Sequence, residues 1–194
     1  MSMSIAPVVL EGSGVRLEPL AAEHAQGLYN RGRVGADWAF MPRQCFVDLA
    51  DTRQWIDLAL TTTGHLPFAI VETHKGRAVG STRYLNIRPE HRSLEIGWTW
   101  LGREWQRTGV NTEAKLLLLG HAFERLRCVR VEFKTDARNE RSLLALERIG
   151  AQREGTLRNH MIVQGNHVRD SVYFSITDAE WPDVKKGLAK RLAR

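Results

Sequence analysis

The stretch Gln106-Arg107-Thr108-Gly109-Val110-Asn111-Thr112 runs straight into helix formers, Glu113-Ala114-Lys115-Leu116-Leu117. A loop that opens a helix this way leaves first-turn N–H groups without intrahelical acceptors, and the aligned peptide dipoles add partial positive charge there. That combination suits a phosphate. Gly109 lets the backbone approach a ligand closely and adopt a φ that other residues avoid. Arg107 adds a full charge. The stretch lacks the Gly-Lys-Ser/Thr ending of a nucleotide triphosphate loop and the three-glycine dinucleotide pattern. A plainer reading fits the same residues: an ordinary loop in which Asn111 or Thr112 caps the helix.

Other residue types narrow the chemistry. The histidines, His24, His65, His74, His91, His121, His160 and His167, have no metal-ligand spacing, and no metal is expected. Cys45 and Cys128 lie far apart and read as free thiols. The net charge of +6 comes from scattered basic residues, apart from a C-terminal KKGLAKRLAR that reads as a solvated helix face. Direct nucleic-acid binding is not expected, because basic patches and aromatic platforms are both missing. An acidic small ligand uses that charge more economically. The longest apolar run, Leu116 to Leu119, is too short for a membrane span, and the N-terminus lacks a signal-peptide pattern, so a cytoplasmic location is expected.

The elements that must position the loop follow from periodicity. At 194 residues, with 43% hydrophobic and 26% charged residues, one domain covering 1–194 is expected, its core at about 15–184. Val15 to Leu20 alternates like a first strand. Helices are predicted over roughly Ala21 to Arg33 and Asp51 to Thr63, the second capped by Asp51 or Thr52. Trp38, Phe40, Met41, Pro42 and Phe46 crowd the loop between them, as a packed lid or a substrate wall. PFAIVET, RAVGSTRYL and LEIGWTWL then read as an antiparallel meander. Thr112 to Leu126 has helical spacing, and Val129 to Thr135 alternates strictly. NERSLLALERIGA is a helix with Gly150 at its left-handed C-terminal position. Two strands, about Gln152 to Met161 and His167 to Ile176, follow.

A meander leading into Gln106-Arg107-Thr108-Gly109-Val110-Asn111, then a helix, an alternating strand and an Asn139-x-x-Ser142 helix, resembles the GNAT superfamily of acyl-CoA-dependent N-acyltransferases. GVNTEAKLLLLGHAFERL, RVEFKTDARNERSLLALERIGAQREGTLRNH and DSVYFSITDAEWPDV are similar to the branch that includes the ribosomal-protein N-terminal acetyltransferases. Asn111 departs from the Gly or Ala usual at that position. The resemblance implies an α/β (α+β) fold with a central, mostly antiparallel seven-stranded sheet and about four helices. It implies that backbone N–H groups of Arg107, Thr108, Gly109, Val110, Asn111 and Thr112 hold the pyrophosphate of acetyl-CoA. The pantetheine arm would lie beside the strand exit at Thr99, Trp100 and Leu101. Asn139 would contact the arm, with Ser142 one helical turn on; capping is the alternative role for Asn139.

The implied reaction is aminolysis of a thioester, which requires the amine to lose a proton. Glu95, placed by alternation opposite Leu94, Ile96 and Trp98, is the candidate base; a solvated charge on an outer face is the competing reading. Ser142 is the candidate partner for the departing thiolate, since the family's tyrosine is missing from this helix. The expected acceptor is a primary amine on a peptide, a ribosomal protein among them, or on a small molecule such as an amino acid, polyamine or antibiotic. A non-catalytic acyl-CoA-binding module is the alternative from another class. The Trp98, Trp100 and Trp105 cluster reads as core and interface, which makes a homodimer plausible.

Overall fold

The computed structural model describes residues 3–193. The expected domain bounds, 1–194, include Met1, Ser2 and Arg194, which lie outside the described residues. Among the described residues eight strands make one open sheet: β1 Leu10–Glu11, β2 Val15–Pro19, β3 Leu66–Glu72, β4 Arg77–Arg88, β5 Ser93–Leu101, β6 Arg130–Asp136, β7 Gln152–Val163 and β8 His167–Thr177. Their order is β1-β2-β3-β4-β5-β6-β8-β7, and every pairing is antiparallel except β5 with β6. The strand beyond the expected seven is β1, whose two residues pair Leu10 with Leu17 and Glu11 with Arg16. Two residues carry no alternation that a sequence can display.

Among the described residues five α-helices accompany the sheet, one more than expected: α1 Ala25–Arg31, α2 Leu49–Thr61, α3 Val110–Gly120, α4 Glu140–Arg148 and α5 Trp181–Leu192. The basic C-terminal segment is more than a solvated face, because Trp181, Val184 and Leu188 of α5 are buried in the same core as Leu118 and Leu119 of α3. Helix α2 starts earlier than its predicted cap. Asp48 accepts the Asp51 N–H at 2.7 Å, while the Asp51 carboxylate reaches back to the Val47 N–H at 3.0 Å. The two acids satisfy orphan donors from both sides of the first turn. Helix α3 continues through one π-helical turn, His121–Arg125, before β6. Gly150, at φ +91°, ends α4 as the pattern predicted.

Two apolar layers cover the sheet. One joins Leu94, Ile96, Phe133 and Phe174 to α3, α4 and α5. The other joins Ala69, Val71 and Trp100 to Leu28 of α1 and Trp55 and Ile56 of α2. Trp38 and Phe46 belong to this second layer, with the Trp38 ring 4.9 Å from both Phe46 and Trp100. Trp38 and Phe46 of the loop between α1 and α2 are therefore core, whereas Phe40 is exposed.

A β-bulge resets the faces of β5. Arg83 pairs with Gly97 and Ser81 with Trp100, so Trp98 and Thr99 together oppose Thr82. Trp98 takes φ +49°, a conformation that costs a bulky L-residue energy and marks the irregularity. The expected alternation fails here. Leu94 and Ile96 face α3, Trp98 does not follow them, and Leu101 returns to that core while Trp100 joins the other.

Candidate active site

Parallel pairing between β5 and β6 covers only Ser93 to Glu95 against Arg130 to Glu132. Beyond it β5 runs on to Leu101 and β6 to Asp136 without pairing each other. The two strands thus part at Glu95, and the main chain of β5 is left open on one side. A cleft follows that opening, lined by Thr99, Trp100, Leu101, Gln106, Asn139 and Arg141, with Phe40 and Met41 of the α1–α2 loop as its wall. The structure brings together the predicted strand exit and Asn139. Gln106 spans the cleft's end, donating from Nε2 to the Leu101 carbonyl at 2.9 Å and accepting from Arg141 Nη1 at 2.8 Å. Arg141 and the bridging role of Gln106 were missed, although Gln106 begins the motif.

The loop that leads into α3 has the expected orphan donors. Its first helical bond runs from the Glu113 N–H to the Gly109 carbonyl at 2.9 Å. Ahead of it, the N–H groups of Arg107, Thr108, Gly109, Asn111 and Thr112 meet no protein acceptor among the described residues. The Val110 N–H has only a 3.3 Å contact to Thr108 Oγ1, whose hydroxyl donates to the Trp105 carbonyl at 2.7 Å. Two details correct the sequence reading. Gly109 sits at φ −65°, an ordinary helical value, and it is Arg107 that takes the left-handed φ of +60°. The N-cap is Gly109, not Asn111 or Thr112, which both lie inside α3. Arg107, a non-glycine residue held at positive φ, stores strain of about 1 kcal/mol or more in this loop.

Asn139 takes the capping role given as its alternative, and its amide nitrogen is left over. Its Oδ1 caps α4 by accepting the Ser142 N–H at 3.2 Å. Its Nδ2 has no protein acceptor among the described residues, and the residue lines the cleft. Ser142 is half-buried in the first turn of α4, and its hydroxyl has no protein partner among the described residues.

Glu95 is 2% exposed, so the solvated outer-face reading is wrong. Burial raises its carboxyl above the usual range, against the pull of Lys134 Nζ at 3.8 Å and of Asn86 Nδ2, which donates at 2.6 Å. A carboxylate poised upward by desolvation is a better proton acceptor than an ordinary one. It stands where β5 and β6 separate. On the same face, β6 and β8 carry polar residues that the sequence reading did not single out. Lys134 Nζ lies 5.9 Å over the Tyr173 ring, whose phenol burial holds above its usual range. The His160 ring is 5.8 Å from that of Tyr173, and its Nδ1 is 3.0 Å from Ser171 Oγ. Gln164, in the β7–β8 turn, donates to the Trp38 carbonyl at 3.3 Å and the Arg43 carbonyl at 2.6 Å, joining that turn to the α1–α2 loop.

One buried cation adjoins the cleft. Lys115 of α3 is 5% exposed, and its Nζ donates to Thr99 Oγ1 at 2.9 Å, which in turn shares a 2.7 Å hydrogen bond with Thr82. No carboxylate pairs with it among the described residues, and burial pushes it down to about 8. No helix among the described residues is long and apolar enough to cross a membrane.

Comparison with known proteins agrees with this geometry. Residues 15–152 match the family model described as Acetyltransferase (GNAT) domain. The Bacillus subtilis (strain 168) protein named "Putative ribosomal N-acetyltransferase YdaF" is 33% identical over 181 residues, covering 87% of this chain and 92% of the relative. The crystal structure of a GCN5-related N-acetyltransferase from Brucella melitensis is 30% identical and superposes with a TM-score of 0.92 over 96% of this chain and 86% of that one. A structure from T. thermophilus, described as a "putative acetyltransferase", is 38% identical with a TM-score of 0.89, over 98% of this chain and 100% of its own.

Proposed function

Because the chain belongs to the GNAT family of acetyltransferases, we propose that it moves the acetyl group of acetyl-CoA to a primary amine, by direct attack in a ternary complex. The observation that carries the reading is the parting of β5 from β6 at Glu95, a buried carboxylate beside open main chain. The residues fit the donor: the N–H groups of Arg107, Thr108, Gly109, Asn111 and Thr112, unpaired among the described residues, suit its diphosphate, and the free Nδ2 of Asn139 suits an amide carbonyl of its arm. When bound, acetyl-CoA supplies the activated acyl group.

In this reading Glu95 takes the proton of the attacking amine, and its raised basicity matches that task. An α-amine, with a pKa of about 8, needs less help than a lysine at about 10.4. We assign the unpaired N–H groups of β5 beyond Glu95 as donors to the developing oxyanion. The hydroxyl of Ser142, free of protein partners among the described residues, would be the group to hydrogen-bond the departing sulfur. The acceptor we favour is a protein N-terminal α-amine, in line with the name carried by the Bacillus subtilis relative.

Calorimetry and turnover together test the assignment. Wild type and Glu95→Gln are both expected to bind acetyl-CoA, with turnover lowered by about 100-fold or more in the variant. Equal turnover in the two proteins removes Glu95 from the role of base.

A further inference from the structure

Arg83 of β4 is 1% exposed, yet it has no carboxylate partner among the described residues. Its Nη1 meets only His65 Nδ1, at 3.2 Å, and its Nε has no acceptor at all among the described residues. His65 cannot neutralise it, since an imidazole is neutral or cationic, and burial and then the guanidinium itself lower its pKa. Two aromatic rings also lie against it. The guanidinium carbon lies 4.4 Å from the Trp98 ring and 5.7 Å from the Trp55 ring. Cation–π contacts offset part of the desolvation of a buried charge but do not supply the missing anion.

The position of this cation is informative. Arg83 pairs with Gly97, and Leu85 pairs with Glu95, so the guanidinium and the candidate base occupy one face of adjacent strands, two residues apart along β5. Between them Gly97 has no side chain; a Cβ there would come within 3.2 Å of both Glu95 Oε1 and Leu85 Cδ2. The missing side chain leaves room for the Glu95 carboxylate and a Leu85 methyl, and the guanidinium beyond them is covered by Trp98, the residue held at φ +49° and 38% exposed. Two residues of strand span about 6.6 Å, the scale of a small acceptor carrying an amine and an acid.

We propose that Arg83 is the anion-recognition site of the acceptor: it takes a carboxylate lying a few bonds from the amine that Glu95 deprotonates. This rests on the amine-acetylation reading above. The ligand enters by displacing Trp98 from the guanidinium, replacing a cation–π contact with a charge-assisted hydrogen-bonded pair. Two sources offer this chemistry, a free amino acid and a peptide whose first or second residue is Asp or Glu.

The test compares matched acceptors. Peptides beginning with Asp or Glu are set against their Asn or Gln counterparts, and free amino acids against their amides. Acid-bearing acceptors are expected to exceed the neutral ones at least tenfold in kcat/KM, and whichever pair shows the larger ratio identifies the source. Arg83→Gln is expected to collapse that ratio toward one. A second measurement needs neither turnover nor an Arg83 variant: titrating the protein with the Asp peptide changes tryptophan emission, and the change is lost in Trp98→Phe and with the Asn peptide. Equal kcat/KM for acid and amide in wild type, or emission that ignores the carboxylate, overturns the proposal. If no amine is acetylated at all, the acetyl-transfer reading fails, while the emission titration still decides whether Arg83 binds a carboxylate.

Discussion

Lys115→Met removes a charge that the fold keeps 5% exposed, with a single hydroxyl as its partner. Burial takes the ammonium from its usual 10.5 to about 8, which at ~1.4 kcal/mol per tenfold amounts to about 3 kcal/mol of destabilisation of the charged form. The lost hydrogen bond to Thr99 offsets roughly 1 kcal/mol of any gain, and Thr99 keeps Thr82 as a partner. The variant is therefore expected to be more stable by about 2 kcal/mol at pH 7, or roughly 4–8 °C in Tm for a chain of this size. The pH dependence has a definite sign. Below pH 8 the lysine is protonated in both folded and unfolded wild type, and the full penalty applies. Between about 8 and 10.5 the unfolded chain holds the extra proton, so wild-type stability rises with pH and the advantage of the variant shrinks. Urea denaturation of both proteins at pH 7 and pH 9.5 reads this directly. No gain at pH 7, or a gain that does not shrink at pH 9.5, refutes the reasoning. Acetyl-CoA affinity is expected to fall in the same variant, because Thr99, the partner of Lys115, lines the cleft.

Further predictions concern the site itself. Asn111→Ala is expected to leave stability within about 0.5 kcal/mol, since Asn111 does not cap α3, and to weaken acetyl-CoA binding several-fold by calorimetry. An unchanged affinity would mean the side chain turns away from the phosphates. Ser142→Ala is expected to lower kcat more than it raises the Kd for acetyl-CoA; the reverse split would assign Ser142 to binding. The Glu95 carboxyl, raised by burial, makes the pH profile of kcat/KM fall on the acid side earlier than an ordinary carboxylate would, as the base becomes protonated. Glu95→Gln should remove that limb, and a limb that survives belongs to another group.

Much of the fold was legible because its signals are local. The alternation of Val129 to Thr135 and the apolar face behind Asn111 needed nothing beyond residue spacing. The open N–H groups of the loop followed from a helix beginning there, even though Gly109 turned out to cap that helix at an ordinary φ. Where the reading failed, distant residues decided the outcome. The bulge at Trp98 is set by pairing with Ser81 and Arg83, so alternation within LEIGWTWL could not reveal it. The same pairing hid the surroundings of Arg83 in RAVGSTRYL. Glu95 could not be told from a surface charge until β6 supplied Lys134 and the end of β4 supplied Asn86. Two signals were present and unused. Asp48 stands three residues before Asp51, and Trp181-Pro182 places a proline at a helix start.

The central claim is tested most directly by incubating the protein with acetyl-CoA and a panel of amines, including peptides with free and with blocked N-termini, and measuring free thiol alongside the mass of each acceptor. The account predicts one CoA thiol released per acetyl group gained by a free amine, with blocked peptides silent and Glu95→Gln depressed about 100-fold or more. A protein that binds acetyl-CoA by calorimetry yet releases no thiol with any amine contradicts it.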